Sequence, residues 1–223
     1  MAFYRSLFIS DIHLGSPHCK IDKLLEFIKN NDCKFLYLVG DIIDFWALMR
    51  HSYWIKEYNE FLHYLQIRTH YGMRIIYTPG NHDKIIRKCQ GTYLGIKIQD
   101  QVIHHTNNKE KYLVLHGDQF DKFGANRMLA NLVRPLHEVA RWIRIHNWSS
   151  DVVDILVRKI EKRHFKLKNL ALSKGCSGVI FGHEHMVTIH DDNGFKFMNT
   201  GDWVNSCTAI AETMSGEFKI LTI

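Results

Sequence analysis

The feature that most constrains the fold is an unbroken apolar run, residues 35–39, that ends in Gly40 and Asp41. A run without polar alternation predicts a strand that is buried on both faces. In open α/β sheets the chemistry gathers beyond the carboxyl ends of such strands, which is where Asp41 would lie. Its carboxylate has two oxygens and can therefore bridge two cations. The sequence thus indicates an α/β fold with a site at the end of this strand.

Four other stretches also place ligand-type residues directly after an apolar run. They are Ser10–His13, Gly80–Asp83, His116–Asp118 and Gly182–His185. Asp, His and Asn offer oxygen and imidazole ligands without a thiolate, a set that suits Mn²⁺, Mg²⁺, Fe²⁺ or Zn²⁺ and disfavours a structural zinc site. Two such ions, roughly 3.5–4 Å apart, can clamp a phosphoryl oxygen and lower the pKa of a bridging water. We therefore predict that the five stretches converge on a two-metal phosphoesterase site.

The composition bounds the class of protein around that site. A chain of 223 residues suffices for one well-buried α/β domain with a small insertion, and three prolines without an internal repeat leave no obvious linker, so we predict one domain over 1–223. Five scattered cysteines, an odd count without C-x-x-C, favour reduced thiols in a cytoplasmic protein. We expect neither a signal peptide nor a membrane span, and peripheral contact with a membrane stays open.

Basic residues are concentrated in one segment. Residues 121–175 contain twelve Lys and Arg against five acids, which accounts for the whole positive excess of the chain. This suggests an anionic partner there, namely phosphate, a lipid headgroup, a membrane surface or nucleic acid, whereas the alternative is a solvated helix face. Apolar residues keep helical spacing over 125–143 and 152–170, and Ser150 can cap the second helix. We predict a helical-hairpin lid over 121–175.

The order of the remaining elements indicates two sheets. Strands at 3–10, 35–39 and 73–78 alternate with helices, one capped by Asp22 and one over about 53–71, a beginning typical of a parallel sheet. Residues 95–104 and 111–115 are predicted strands, and five short strands after residue 178 predict a second, mainly antiparallel sheet. We expect histidines outside the motifs, such as His104, on the surface or in loops, and Asp118 and Asp202 in turn caps.

Taken together, the five motifs resemble the calcineurin-like metallophosphoesterase family. The matching residues are Asp11-x-His13, Gly40-Asp41-x-x-Asp44, Gly80-Asn81-His82-Asp83, His116-Gly117-Asp118 and Gly182-His183-x-His185. The resemblance implies a two-sheet α/β sandwich flanked by helices, with two divalent ions, Mn²⁺ foremost. It implies that the ions are held by two sets that share Asp41: Asp11, His13, Asp41 and His185, and Asp41, Asn81, His116 and His183. It further implies a substrate-facing His82, with Asp44 and Asp83 orienting ligands or that histidine.

Further stretches resemble one branch of this family, the bacterial UDP-2,3-diacylglucosamine diphosphatases of lipid A synthesis. These stretches are Trp46, Arg50–Trp54, His116–Asp121, the lid and Asn199–Thr208. The resemblance implies hydrolysis of a sugar-lipid pyrophosphate to UMP and 2,3-diacylglucosamine 1-phosphate at the inner membrane surface. An apolar helical face can shelter acyl chains while basic side chains meet phosphates. The candidate substrate contacts are Trp46, Asp121, Arg163, Lys166, Lys168 and Asn169.

His82 keeps a second function open, because the best-known diphosphatases of this branch carry Arg at the matching position. A pyrophosphate expels a phosphate, which needs no proton donor, whereas an alkoxide leaving group profits from a general acid such as His82. The alternative is therefore a general phosphodiesterase or phosphatase that acts on nucleotides or other phosphoesters. A different class would be a protein with a vestigial metal site that binds nucleic acid or anionic lipid, and the seven filled ligand positions disfavour it.

Overall fold

The computed structural model describes residues 2–120 and 150–223, and for 150–157 and 159 it describes the backbone alone. The chain divides into two compact units, Met1–Asp118 with Ala171–Ile223, and Gln119–Leu170. The first predicted lid helix lies outside the described residues, so the lid, like the single domain, stays a prediction. None of the described helices combines the length and apolar character that crossing a membrane requires.

Four α-helices and twelve strands are described. The helices are α1 Ile21–Asn30, α2 Phe45–His51, α3 Lys56–His70 and α4 Ser150–Ser173, with 3₁₀ turns at Lys84–Lys88 and Asp118–Phe120. The strands are β1 Ala2–Ile9, β2 Asn31–Leu38, β3 Arg74–Tyr77, β4 Gly91–Tyr93, β5 Ile96–Ile98, β6 Val102–His105, β7 Lys111–Val114, β8 Gly178–Phe181, β9 Thr188–Asp192, β10 Phe195–Asn199, β11 Thr208–Glu212 and β12 Phe218–Thr222.

These strands form two sheets. The larger has the order β12-β11-β1-β2-β3-β5-β4, with β1, β2, β3 and β5 parallel to one another and antiparallel strands at both edges. The smaller has the order β6-β7-β8-β10-β9, in which the two central pairings are parallel and the two outer ones antiparallel. The two-sheet α/β architecture with a parallel beginning is confirmed.

The second sheet differs from its prediction. It is mixed rather than mainly antiparallel, and β11 and β12 belong to the larger sheet, where β11 pairs with β1. The single strand predicted over 95–104 is wrong as well. Its two halves, β5 and β6, lie in different sheets, because the polar stretch Gln99–Gln101 interrupts the apolar run and the chain crosses over there.

The helices follow from apolar spacing and capping. On α1 the buried residues are Ile21, Leu24, Leu25, Phe27 and Ile28, one face of a helix. Lys20, not Asp22, is the residue at the N-cap; Asp22 lies in the first turn, where its charge complements the helix dipole. The separate helix α2 was not predicted; Asp44 caps it by accepting a hydrogen bond from the Ala47 amide at 2.8 Å.

The carboxyl-terminal part of β2 is buried on both faces, as the apolar run 35–39 predicts. Leu36 and Leu38 point into the core between the larger sheet and helices α1 and α3, whereas Tyr37 and the following Val39 point into the core between the sheets. The core between the sheets also contains Phe8, Ile76 and Ile210 from one sheet and Tyr112, Val114, Ile180 and Met198 from the other. Fully burying one such side chain stabilises the fold by about 1.5–3 kcal/mol.

A buried polar cluster also joins the two sheets. Glu212 on β11 accepts hydrogen bonds from Arg5 and Ser6, both at 2.7 Å, and lies 2.8 Å from Nε2 of His104 on β6. The other ring nitrogen of His104 lies 2.8 Å from the Tyr37 hydroxyl. His104 is 2% exposed, so the prediction that it lies on the surface is wrong. Its polar ring is buried because both nitrogens find partners.

Candidate metal centre

The five motifs follow β1, β2, β3, β7 and β8 directly. Because β1–β3 run parallel in one sheet and β7 and β8 run parallel in the other, the carboxyl ends of each set lie at one edge of their sheet. Each strand is apolar to its last residue, and the polar side chains begin where sheet hydrogen bonding ends. The fold thereby delivers the ligand-type residues to one place.

The backbone is strained at five of the seven predicted ligands. Asp11, His13, Asp41, His183 and His185 all have positive φ, between 52° and 70°, a left-handed conformation in which non-glycine residues are uncommon. Each such residue costs on the order of 1–3 kcal/mol unless its surroundings impose the conformation. Here the first loops brace each other, since the Asp11 amide donates to the Gly40 carbonyl at 3.0 Å and the His13 amide to the Asp41 carbonyl at 2.9 Å.

Asp41 lies at the centre of the arrangement. Its Oδ2 lies 3.4 Å from Nε2 of His116, 3.8 Å from Nε2 of His82 and 4.0 Å from Nε2 of His13. Its other oxygen accepts a hydrogen bond from the His82 amide at 2.7 Å. The Nε2 atoms of three imidazoles therefore face one carboxylate oxygen of Asp41. Asp41 itself is 1% exposed.

Asp11 forms the neighbouring part of the cluster. Its Oδ1 lies 3.2 Å from Nε2 of His185 and 3.9 Å from Nε2 of His13. Three sets have ligand atoms that lie within 4.8 Å of one another: Asp11, His13 and His185; His13, Asp41 and His82; and Asp41, His116 and His183. Of the seven predicted ligands, six occur in these sets, and the seventh is the amide Asn81. The structure thus brings the two predicted carboxylates and four predicted histidines together, and it adds His82.

Several of these atoms are buried without a hydrogen-bond partner, which tests the fit of a cation. They are Oδ1 of Asp11, Nε2 of His13, Oδ1 of Asn81 and Nε2 of His116. An unsatisfied buried polar atom costs about 1–3 kcal/mol, so the three such atoms of Asp11, His13 and His116 in this cluster, with Asn81 on the loop after β3, call for a common partner. Carboxylate, amide and imidazole lone pairs are the ligands that divalent Mn, Fe and Zn accept. The residues present therefore fit divalent metal ions.

The charge of Asp41 dominates the electrostatics. Burial lowers the pKa of His116, but the nearby Asp41 carboxylate outweighs it and raises that pKa to about 10. Burial likewise raises the pKa of Asp41, and the imidazoles of His116, His13 and His82 bring it well below its usual range. The carboxylate thus holds positive charge at His116, and a cation bound at this point would replace the proton.

Asp44 orients two of the imidazoles. Its Oδ2 lies 3.1 Å from Nδ1 of His13 and 2.9 Å from Nδ1 of His82. Burial raises the pKa of Asp44, but these two contacts outweigh it and lower the pKa far below its usual value. An ionised Asp44 keeps the proton of each ring on Nδ1 and leaves Nε2 to face Asp41, the usual support of a metal-ligating histidine. Its predicted orienting role fits this geometry.

Asp83 faces the backbone rather than the cluster. It accepts hydrogen bonds from the Gly80 amide at 2.5 Å, from the Ile42 amide at 2.7 Å and from the Tyr77 hydroxyl. It thus ties the loop after β2 to the loop after β3. A glycine is required at position 80, in the loop after β3, because a Cβ there would lie 2.3 Å from Oδ1 of Asp41 and 2.6 Å from a ring carbon of His116.

Sequence reasoning missed two supports of the first metal set. Ser10 donates to Oδ2 of Asp11 at 2.5 Å and lies 2.6 Å from the Thr200 hydroxyl. Asp202 does cap a turn, accepting from the Val204 amide at 2.9 Å, but its other oxygen also lies 3.5 Å from Nδ1 of His185. Their position in the sequence could have indicated Thr200 and Asp202, because residues 200–202 directly follow β10 as each motif directly follows its strand.

The predicted substrate contacts are spread over the two units. The Trp46 ring lies 4.5 Å from the His82 ring, centroid to centroid, and Trp46 is 38% exposed, so it borders the cluster. Four of the predicted substrate contacts lie on α4. Of these, Arg163 and Lys168 are half-buried, and Lys166 and Asn169 are exposed. Asp121 lies outside the described residues. The role of each in substrate binding stays a prediction.

A two-sheet sandwich whose strand-end loops gather carboxylates and imidazoles around one shared carboxylate is the arrangement expected of a metal-dependent phosphohydrolase. Residues 4–187 match the calcineurin-like phosphoesterase family, and the chain belongs to that family, whose members use divalent metals. It is 26% identical to a UDP-2,3-diacylglucosamine hydrolase of Haemophilus influenzae, over 97% of this chain and 98% of that protein. It is 29% identical to a protein of the same name from Vibrio atlanticus, over 94% and 93%.

Among solved structures, an archaeal phosphodiesterase aligns over 98% of this chain and 99% of its own, with a TM-score of 0.45 and 14% identity.

Proposed function

We propose that this chain is a dinuclear metal-dependent diphosphatase that hydrolyses UDP-2,3-diacylglucosamine to UMP and 2,3-diacylglucosamine 1-phosphate. The chemistry is supported by one observation above all, the convergence of three histidine Nε2 atoms on Oδ2 of Asp41 at 3.4–4.0 Å. The substrate is supported by relatives named UDP-2,3-diacylglucosamine hydrolase, which align with nearly the whole chain.

The residues divide into two metal sets in this proposal. Asp11, His13, Asp41 and His185 would hold one ion, and Asp41, Asn81, His116 and His183 the other. Mn²⁺ is the first choice, since it accepts carboxylate, amide and imidazole ligands together. When bound, two such ions polarise phosphoryl oxygens and supply a nucleophilic water at neutral pH.

The protein's own groups then set the geometry of the reaction. Asp44 holds His13 as a ligand and His82 beside it, because its carboxylate contacts Nδ1 of both rings. Trp46 packs against the His82 ring and limits its rotation. In a pyrophosphate the leaving group is itself a phosphate, so His82 needs only to bind a phosphoryl oxygen.

The lipid part of the substrate gives the basic segment a role. Arg163, Lys166, Lys168 and Asn169 would meet phosphate groups, and the apolar side of the lid would shelter acyl chains. Such a substrate resides in a bilayer, so the enzyme would act in the cytoplasm at the inner membrane surface. Binding to vesicles that contain the substrate, compared with vesicles of neutral phospholipid alone, tests this part.

The decisive experiment is turnover of the proposed substrate. Purified protein with Mn²⁺ and UDP-2,3-diacylglucosamine in detergent micelles should release UMP, and excess chelator should stop the release. Asp41→Asn serves as the inactive control. If UMP is not released while simple phosphodiesters are hydrolysed well, the substrate assignment is wrong and the phosphohydrolase assignment stands.

A second candidate function, a general phosphodiesterase, is favoured by the orientation of His82. With Nδ1–H held by Asp44 at 2.9 Å, its Nε2 faces the cluster, and the imidazolium form of His82 can donate the Nε2 proton to an alkoxide leaving group. His82→Gln should then slow diesters with alkyl leaving groups by about 10²–10⁴-fold and spare nitrophenyl esters, whose leaving group needs no proton. An equal loss on both esters would indicate substrate binding alone.

A further inference from the structure

Arg87 connects two loops of the metal centre from behind. It lies in the 3₁₀ turn Lys84–Lys88, and its Nη2 donates to the Pro79 carbonyl at 2.9 Å and to a carboxylate oxygen of Asp118. Its Nε lies 2.9 Å from the carboxylate of Asp100, just after β5. The guanidinium therefore holds three separate chain segments together.

Both of the connected loops carry ligands of the same proposed ion. Pro79 lies two residues before Asn81, and Asp118 lies two residues after His116. Oδ1 of Asn81 and Nε2 of His116 are two of the buried atoms without a hydrogen-bond partner. The loops also touch directly, since the His116 ring occupies the space that a Cβ of Gly80 would need. A small change in the spacing of the two loops would therefore move both ligand atoms.

The contacts of Arg87 are suited to fixing that spacing. The Arg87 side chain is 19% exposed and that of Asp118 is 9% exposed, so water competes little for their ion pair. A planar guanidinium presents several donors in fixed directions, whereas a lysine ammonium is a single point charge. Arg87 thus donates from Nη2 to a carbonyl and to one carboxylate, and forms an ion pair with a second carboxylate, that of Asp100.

From this geometry we infer that Arg87, with Asp118, is a positioning residue for the second metal set, Asp41, Asn81, His116 and His183. Among the described residues its hydrogen bonds and ion pairs go to Pro79, Asp118 and Asp100 rather than to a ligand side chain, so it acts through the two loops. The inference rests on the proposed dinuclear centre. Its consequence is selective: loss of Arg87 weakens the ion at Asn81 and His116 and leaves the ion at Asp11 and His185 in place.

The test measures metal content rather than turnover. Wild-type protein and variants are dialysed against a series of buffered free Mn²⁺ concentrations, and manganese per chain is measured by elemental analysis. Arg87→Gln and Asp118→Asn should each shift the midpoint of one of the two ions by about 10–100-fold to higher concentration, the usual effect of losing a group that supports a ligand. Arg87→Lys should lie between wild type and Arg87→Gln, and Asn81→Ala should reproduce the loss of the same ion.

Arg68→Gln is the matched control. It breaks an ion pair of similar exposure, with Asp32, at the amino end of β2, away from the ligand loops. Both of its midpoints should equal those of wild type. The inference is overturned if Arg87→Gln keeps both midpoints, or if both ions weaken equally. Should Arg87→Gln not fold, Arg87→Lys decides by the same criteria. If wild type itself binds fewer than two ions, the proposed dinuclear centre fails instead.

Discussion

Replacing Gly80 by alanine is expected to damage the metal centre selectively. The added Cβ would lie 2.3 Å from Oδ1 of Asp41 and 2.6 Å from a ring carbon of His116, whereas real Cβ contacts below 3.0 Å are essentially absent. Relief of both overlaps requires these side chains to move by several tenths of an ångström or more. Metal–ligand bonds tolerate only about ±0.2 Å, so the displaced ligands no longer fit an ion.

The expected size follows from the same distances. Overpacking of this kind costs about 1–3 kcal/mol of stability, a cost that any overlap in the core would cause. Gly178→Ala provides the comparison, because its Cβ would lie 2.4 Å from the Lys196 carbonyl and 2.7 Å from the Tyr112 ring, at the end of β8 away from the ligands. Both variants should lose similar stability in the absence of metal.

Metal content separates the two variants. With Mn²⁺ buffered at a concentration that fills wild-type protein, Gly178→Ala should bind as much manganese as wild type. Gly80→Ala should bind much less, since Asp41 and His116 both belong to the second set. Free energies of unfolding from urea titrations, measured with chelator, check that the stabilities match. Wild-type manganese content in Gly80→Ala would refute the steric reasoning.

Three further predictions concern the shared carboxylate, the ions and the buried cluster between the sheets. Asp41→Ala should weaken metal binding by more than about 100-fold, beyond the loss of a supporting residue, and elemental analysis showing two ions at wild-type affinity would contradict it. Mn²⁺ at about 100 times its dissociation constant should stabilise the fold by about 2.7 kcal/mol per site, visible as a higher melting temperature that chelator reverses; an unchanged melting temperature would count against a folded-state site. Burial raises the pKa of Glu212, but hydrogen bonds from His104 and Ser6 outweigh it and lower that pKa from 4.5 to about 2, so stability present above pH 4.5 is lost as the pH falls toward 2. In urea titrations of wild type, the free energy of unfolding should fall by about 3 kcal/mol from this group over that pH range. The free energy of unfolding of Glu212→Gln should lack this contribution to its pH dependence, and parallel pH profiles of the two proteins would contradict the prediction.

The part of the fold that was predictable rests on local sequence. The run 35–39 has no polar residue to face water, so it had to become a strand covered on both sides, and β2 is such a strand. Because polar side chains begin where parallel strands end, the five ligand-bearing stretches could be assigned to one place from the sequence, and the resemblance to the family then indicated which seven residues would be ligands. Apolar spacing over 152–170 also indicated a helix, and α4 spans Ser150–Ser173.

Long-range pairing was not predictable from those patterns. The composition of residues 208–222 does not indicate that β11 pairs with β1 as well as with β12, because the composition of a strand does not determine its partners. The burial of His104 could not be predicted for the same reason. Its ring is buried because Tyr37 and Glu212, both distant in sequence, supply hydrogen-bond partners. Supports such as Arg87 and Asp202 were missed for this reason too.

The ligand loops span the chain from Asp11 to His185, and this has a consequence during protein synthesis. A ribosome adds about 5–20 residues per second, so Asp11 and Asp41 leave the exit tunnel seconds before His183 exists. Neither proposed ligand set is complete during that interval, because one includes His185 and the other His183. In the proposed centre, the choice of metal would therefore fall to the folded sandwich rather than to the early part of the nascent chain.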